Sequence, residues 1–191
     1  MGAGRIVAAL CCLVFVSRQV SAGTCARRLL TAPATELLIS THEDFAGRAF
    51  VDGISCRSEI PDDPEQSCDY QARVVDERLL DDRPGSERRL VKAADRQVVG
   101  ASVWDYLIVF ACNPEGRIAI VLERGGLWLG LDIEYASADA LEITRTEHLS
   151  SEPPPSLPFQ QVRERLRWDA PQRRYLVEGE TYHTLAVAPS R

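Results

Sequence analysis

The chain has 191 residues, of which 22 are Lys or Arg and 28 are Asp or Glu, so its formal net charge at pH 7 is -6. Hydrophobic residues make up 45% and charged residues 26%, as in an ordinary globular domain and unlike a disordered or collagen-like chain. The acidic balance argues against a nucleic-acid-binding protein.

Residues 1–22 predict a secretory signal peptide. Arg5 supplies a positive charge, residues 6–16 form an uninterrupted apolar run, and residues 20–22 place small side chains at the usual cleavage position. The apolar run spans only ~16 Å as a helix, too short for the ~30 Å hydrocarbon core of a bilayer. We therefore expect a secreted or periplasmic protein whose mature chain, residues 23–191, is a single β-rich domain without a transmembrane segment.

Cleavage after residue 22 leaves four cysteines, Cys25, Cys56, Cys68 and Cys112. In an exported chain such a set favours disulfides. Cys56 and Cys68 bracket a polar, proline-containing segment, so a local bridge joins them naturally and Cys25 is left to pair with Cys112. Zinc binding is disfavoured because no C-x-x-C pair is present. Lipid attachment at Cys25 is disfavoured too, since no large aliphatic residue lies three places before it.

Alternating apolar residues predict antiparallel strands in the second half of the chain. Residues 104–112 are almost continuously apolar, as a strand covered on both faces would be. The other predicted strands place one apolar set each toward a core: Ile118, Ile120 and Leu122; Leu127, Leu129, Leu131, Ile133 and Tyr135; Leu141 and Ile143; Val162, Leu166 and Trp168; Tyr175 and Val177.

The first half of the mature chain is less regular. Residues 36–41, 49–52 and 71–76 predict strands, and residues 86–96 predict a short helix capped by Ser86. Together these patterns predict a mainly β fold, with a β-rich α+β fold as the alternative. We expect an antiparallel meander sheet, at most one or two short helices, and disulfides that staple the chain.

Sequence motifs assign no catalytic, cofactor-binding or metal-binding residue, and no cofactor is expected. His42, Glu43 and Asp44 place a base beside two carboxylates but lack His-Glu-x-x-His spacing, which favours a solvated turn. A histidine–carboxylate site would require folding to bring His42, His148 or His183 to an acid. The sequence leans against an enzyme without excluding one.

Two features are candidates for a binding surface. Arg163, Arg165 and Arg167 project from one face of a predicted strand. They could receive an anionic partner, although cross-strand pairing with Glu142 and Glu178 is favoured. Trp128 lies opposite the apolar face of its strand, either beneath a covering layer or in a groove. 

The expected function is a non-enzymatic binding or inhibitor-type module of the bacterial cell envelope. Its expected partners are another envelope protein or an anionic glycan or lipid, not nucleic acid. Two alternatives stay open: a periplasmic hydrolase or metal-dependent enzyme with a histidine–carboxylate site, and a structural envelope component that acts through an exposed strand edge.

Overall fold

The computed structural model describes residues 23–58, 68–98, 103–127, 130–148 and 159–185; the predicted leader lies outside these ranges. Residues 23–31 are helical (α1) and are followed by α2 (Ala34–Thr41) and a 3-10 turn (Glu43–Phe45). The strands are β1 (Ile54–Arg57), β2 (Tyr70–Asp81), β3 (Arg88–Gln97), β4 (Val103–Cys112), β5 (Ile118–Leu127), β6 (Gly130–Ala136), β7 (Ala140–His148), β8 (Phe159–Asp169) and β9 (Arg174–Leu185). Among the described residues no helix is both long and apolar enough to cross a bilayer.

The strands form two antiparallel meanders. Sheet 1 has the order β1-β2-β3-β4-β5 and sheet 2 the order β6-β7-β8-β9, so within each sheet the strands pair in chain order. The predicted mainly β, antiparallel meander is confirmed, with the addition that it divides into two sheets between β5 and β6. The two sheets pack against each other, and α1 and α2 cover the opposite face of sheet 1.

Strand β4 lies at the centre of this three-layer arrangement. Tyr106, Ile108 and Phe110 point toward the helices, whereas Leu107 and Val109 point toward sheet 2, and all five are buried. The continuous apolar run therefore reports burial on both faces, as the sequence predicted.

A β-bulge in β5 changes which side chains face each layer. Val121 is an extra residue between the pairs formed by Ile120 and Leu122 with β4. One inserted residue reverses the alternation of side chains along a strand. Ile118 and Ile120 consequently pack with the helices while Leu122 packs with sheet 2, so the prediction that all three share one side is wrong.

Two other predicted core residues are exposed. A register shift after Ile133 in β6 turns Tyr135 outward, where it is 53% exposed, although Leu131 is buried as predicted. Val177 lies on edge strand β9 and is 47% exposed, while Tyr175 of the same strand is buried. Residue 129 lies outside the described residues, as does the side chain of Leu127.

The strand predicted at residues 36–41 is wrong, because this segment is the C-terminal part of α2. Pro33 lies immediately before the helix, a position that proline tolerates because the first helical N–H groups lack internal partners. Leu37 and Leu38 are fully buried and pack beside Leu29 of α1. Docking of this apolar surface on sheet 1 outweighs the local strand signal.

The helix predicted at residues 86–96 is also wrong, since residues 88–97 form β3. Leu90 faces sheet 2 and Val91 and Ala93 face the helices, so the strand is buried on both faces like β4. A doubly buried strand loses the period of two from which strands are recognised. Tertiary packing therefore decides the conformation.

The strand expected at residues 49–52 is absent from the structure. Val51 forms a single bridge with Ile54 across a turn whose Asp52 and Gly53 have φ values of 52° and 79°. By contrast, the strand predicted at residues 71–76 is confirmed as part of β2.

A buried ion pair helps to join the two sheets. Arg88 of β3 is fully buried, bonds to Asp81 of β2 at 2.8 Å, and holds its guanidinium 4.1 Å from the ring centroid of Trp168 in β8. Arg83 also bonds to Asp81, and this lowers the pKa of the Asp81 carboxyl to about 2 against the opposing effect of burial. Pairing of this kind is what allows ionised groups inside a protein.

Both disulfides have the partners that the sequence favoured. Cys25 of α1 joins Cys112 at the end of β4, with Cα atoms 6.0 Å apart. Cys56 of β1 joins Cys68 just before β2, with Cα atoms 5.1 Å apart. The first bridge fixes the helical layer to sheet 1, and the second holds the short edge strand β1 beside β2.

We expect Asp81→Asn to lower the free energy of unfolding at pH 7 by about 2–3 kcal/mol, because the ionised carboxylate is favoured in the folded protein. The lowered pKa means that this contribution is complete above about pH 4 and is lost as the pH falls toward 2. Urea unfolding of the wild type and variant at several pH values measures it. Asp82→Asn is the matched exposed control, and a difference for Asp81→Asn that stays constant down to pH 2 would contradict the assignment.

Replacing both Cys25 and Cys112 by Ser should lower the free energy of unfolding by about 2–4 kcal/mol, because the bridge restricts the unfolded chain. The bridge spans 87 residues, against 12 for Cys56–Cys68. Since the stabilisation grows with the length of the closed loop, the Cys56→Ser, Cys68→Ser variant should lose less. Denaturant unfolding of both double variants provides the comparison, and the reverse ranking would show that strain or unfolded-state structure dominates.

Candidate functional site

A cleft of about 390 Å³ opens on the helix-bearing face of sheet 1. This volume is at the lower end of the range for small-molecule sites. Side chains from all five strands of the sheet and from the segment after α2 line it, and they combine aromatic rings with charges of both signs. We call it the sheet-1 cleft.

The meander order determines where each group lies. Arg57 is on β1 and pairs in register with Tyr70 on β2; Asp95 on β3 pairs with Trp104 on β4; and Glu123 is on β5. Arg57 and Glu123 therefore occupy opposite edges of the sheet. The bulge at residue 121 puts Glu123 on the helix-bearing face, because β5 would otherwise present its alternate residues there.

An ion pair is buried at the cleft wall. Arg48 Nη2 donates to Asp95 Oδ2 at 2.5 Å, and each side chain is only 6% exposed. The guanidinium carbon of Arg48 is 5.4 Å from the ring centroid of Phe45. Within the described residues Arg48 Nε, Arg48 Nη1 and Asp95 Oδ1 have no hydrogen-bond partner. The pair thus retains two donors and one acceptor beside the cleft, and leaving such groups unpaired is costly.

His42 is buried, not in the solvated turn that the sequence favoured. It caps the 3-10 turn: the backbone N–H of Asp44 donates to His42 Nδ1 at 3.2 Å, which places the ring proton on Nε2. His42 Nε2 lies 3.3 Å from Glu123 Oε1, although the angle falls short of a hydrogen bond. The rings of Phe45 and Tyr106 contact the imidazole edge-on at centroid distances of 5.2 and 5.4 Å. No free ring nitrogen is left to accept a proton from a substrate.

Tyr106 connects the histidine to the cleft. Burial, followed by the negative charge of the nearby Asp44 carboxylate, raises the pKa of the phenol. The hydroxyl is therefore a stable donor at neutral pH. Its ring lies against Gly125, its partner on β5, where an added Cβ would come within 2.9 Å of Tyr106 Cδ1. The Tyr106 ring can occupy this position because Gly125 has no side chain.

An aromatic wall completes the cleft. The guanidinium carbon of Arg57 lies 4.7 Å from the ring centroid of Tyr70, which in turn is 5.8 Å from the ring of Trp104. Arg57 is exposed, so its charge faces solvent at the rim. The Cys56–Cys68 disulfide lies next to this wall and fixes β1 beside β2.

The histidine–carboxylate contact that the enzyme alternative requires is present for one of the two histidine side chains that the structure describes. His42 meets a carboxylate, whereas His183 is exposed on β9 of sheet 2. Glu43 is exposed beside His42, and the side chain of His148 lies outside the described residues. In the parts of the chain that the structure describes, no group of three or more His, Cys, Asp or Glu is placed to hold a metal ion.

The arginine stripe is on the outer face of sheet 2, away from the cleft. Arg163 lies 2.6 Å from Glu142 and Arg167 lies 3.2 Å from Glu178, which is the cross-strand pairing that the sequence favoured. Arg165 lies between them, near Gly179. Trp128, the other predicted surface residue, lies outside the described residues.

Sequence reasoning missed Arg48, Asp95 and Glu123. Each is a single charged residue with no motif around it, and they meet only because the meander and the β5 bulge bring them together. The one local signal is Asp95, a carboxylate in a strand whose neighbouring residues are buried.

No protein-family model matches this chain, and no curated protein or solved structure matches it significantly. The evidence for function therefore lies in the contacts of the sheet-1 cleft.

We expect Gly125→Ala to lower the free energy of unfolding by about 1–3 kcal/mol, because the new methyl group forces the Tyr106 ring or the β5 backbone to move. Gly130→Ala is the matched control, since nothing lies within 4 Å of a Cβ there. Thermal or urea unfolding of both variants checks the difference. Equal stability of the two variants would show that Tyr106 gives way without cost.

Proposed function

We propose that this chain is an exported, non-enzymatic binding module that takes its ligand in the sheet-1 cleft. The observation that carries the proposal is the Arg48–Asp95 pair, which lines the cleft and is more than nine-tenths buried. Among the described residues the pair leaves two buried donors and one buried acceptor without a partner. Buried polar groups that lack a partner within the protein are satisfied by bound water or ligand.

The state of His42 supports binding over catalysis. A general base must offer an unprotonated atom within reach of the substrate. His42 Nδ1 already accepts a backbone N–H and Nε2 carries the proton, so the imidazole serves to fix the turn. The hydrolase alternative is supported by the 3.3 Å distance between His42 Nε2 and Glu123 Oε1. Because His42 has no free nitrogen, Glu123 would have to be the general base without its help.

Two features support export. The leader-like residues 1–22 are those of a secretory signal peptide, and disulfides persist in oxidising compartments. A secreted or periplasmic module would meet its ligand outside the cytoplasm.

The proposal is tested by native mass spectrometry of the mature protein after equilibration with the small-molecule and oligomer fraction of a cell-envelope extract. We expect a bound species of discrete mass that is retained at least about tenfold less by Arg57→Ala, a loss of about 1.4 kcal/mol of binding free energy. Arg167→Ala, an exposed arginine on sheet 2, is the matched control and should retain the species like the wild type.

Two outcomes would contradict the proposal. Equal retention by Arg57→Ala and Arg167→Ala would place the ligand elsewhere on the molecule. A bound species whose mass changes with time, and stops changing in Glu123→Gln, would show that the cleft performs chemistry and would restore the hydrolase alternative.

A further inference from the structure

We infer that the sheet-1 cleft selects a short peptide with a basic group at one end and a carboxylate at the other, lying across the strands of sheet 1. This inference rests on the proposed function, since it names the ligand class of the same cleft. Three observations on charge, hydrogen bonding and dimensions carry it.

At the β5 end of the cleft, the described residues leave negative charge without a basic partner. Asp44 is exposed and its carboxylate lies near the Tyr106 phenol. The Glu123 side chain is 48% exposed and lies beside the His42 imidazole, whose proton is on Nε2. Within the described residues neither carboxylate has an Arg or Lys partner. A cationic group of a ligand would therefore be attracted to this end.

At the β1 end of the cleft, the described residues leave a positive charge without an acidic partner. Arg57 contacts the face of Tyr70 and forms no ion pair among the described residues. A guanidinium on an aromatic ring keeps its donors available for a carboxylate, which it binds in a planar fork. The two ends of the cleft thus favour opposite charges on the ligand.

Between the two ends, the cleft wall contains the Arg48–Asp95 pair, whose charges cancel but whose hydrogen-bonding atoms are not all paired. Arg48 and Asp95 neutralise each other and leave two N–H donors and one oxygen acceptor unpartnered in the described residues. A peptide unit has a C=O acceptor and an N–H donor, so it complements the free donors and the free acceptor. All three atoms are buried, so pairing with a peptide requires Arg48 and Asp95 to change rotamer.

The dimensions fit several residues. Arg57 on β1 and Glu123 on β5 are four strand spacings apart across the sheet, or ~19 Å. Arg57 aligns with Gln97 of β3 and Glu123 aligns with Val91, so they are also offset along the strands by ~20 Å, and their backbones are ~27 Å apart on the diagonal. Side chains reaching inward shorten this span, so an extended chain of about four or five residues bridges it. A neutral oligosaccharide would suit the aromatic wall of Tyr70 and Trp104, but it would gain nothing from charges of opposite sign at the two ends.

The test uses pools of pentapeptides with blocked termini and three randomised central positions, X. The end residues are Lys and Glu (Lys-X-X-X-Glu), Gln and Gln, Lys and Lys, or Glu and Glu. Immobilised mature protein should retain the Lys/Glu pool at least about tenfold more than the Gln/Gln pool, with a difference that shrinks as salt rises. The retained peptides are quantified by mass spectrometry.

Charge reversal of the protein gives the sharper readout. Arg57→Glu should shift the preference to the Lys/Lys pool. Glu123→Lys combined with Asp44→Asn should shift it to the Glu/Glu pool, since Asp44 would otherwise leave a carboxylate at the β5 end. Arg167→Glu reverses an exposed charge on sheet 2 and should leave the preference unchanged. If either cleft variant folds but keeps the wild-type preference, the assignment of that end is wrong.

Failure of this inference and failure of the proposed function give different results. If maltooligosaccharide or chitooligosaccharide pools are retained through Arg57 while no peptide pool is discriminated, the ligand class is overturned and the cleft remains a binding site. If neither the peptide pools, the saccharide pools nor any extract component depends on Arg57, the proposed function is overturned together with it.

Discussion

The structure depends on one constraint, which is that sheet 1 must be covered on both faces. Strand β4 is apolar on each side, so neither face can remain in water. The helices supply one cover and sheet 2 the other, and the chain reaches sheet 2 directly from β5. Charged side chains enter these layers in pairs, as Arg88 with Asp81 and Arg48 with Asp95.

The cleft lies where the helical cover gives way to polar side chains. On the helix-bearing face of β3, buried Val91 and Ala93 precede Asp95. On the antiparallel strand β4, the same direction leads from buried Ile108 through Tyr106 to half-buried Trp104. The same face is therefore core at one end and binding surface at the other. Rigid strands beneath the cleft hold its groups in place, which favours recognition without a large rearrangement.

Sequence patterns revealed the elements whose information is local. The doubly buried β4, the alternation around Leu141 and Ile143, and the loop-closing Cys56–Cys68 bridge all follow from neighbouring residues. Elements set by distant contacts were missed: β3 resembles a helix until its two covering layers are known, and the bulge in β5 has no sequence marker. The site was missed for the same reason, since its charges come from β1, β3, β5 and the segment after α2 and converge only through the meander.

The extra residue in β5 links the interior to the surface. Glu123 and Arg124 both follow this residue and lie on opposite faces of β5. Glu123 faces the cleft, and Arg124 faces sheet 2, where it lies 2.9 Å from the buried carboxylate of Glu164. Deleting one residue of β5 before residue 123 would move each later side chain of the strand to the opposite face of sheet 1. The cleft would then receive a cation in place of an anion, and Glu164 would lose a counterion at the same step. Insertions and deletions in this strand are therefore constrained by electrostatics on two surfaces at once.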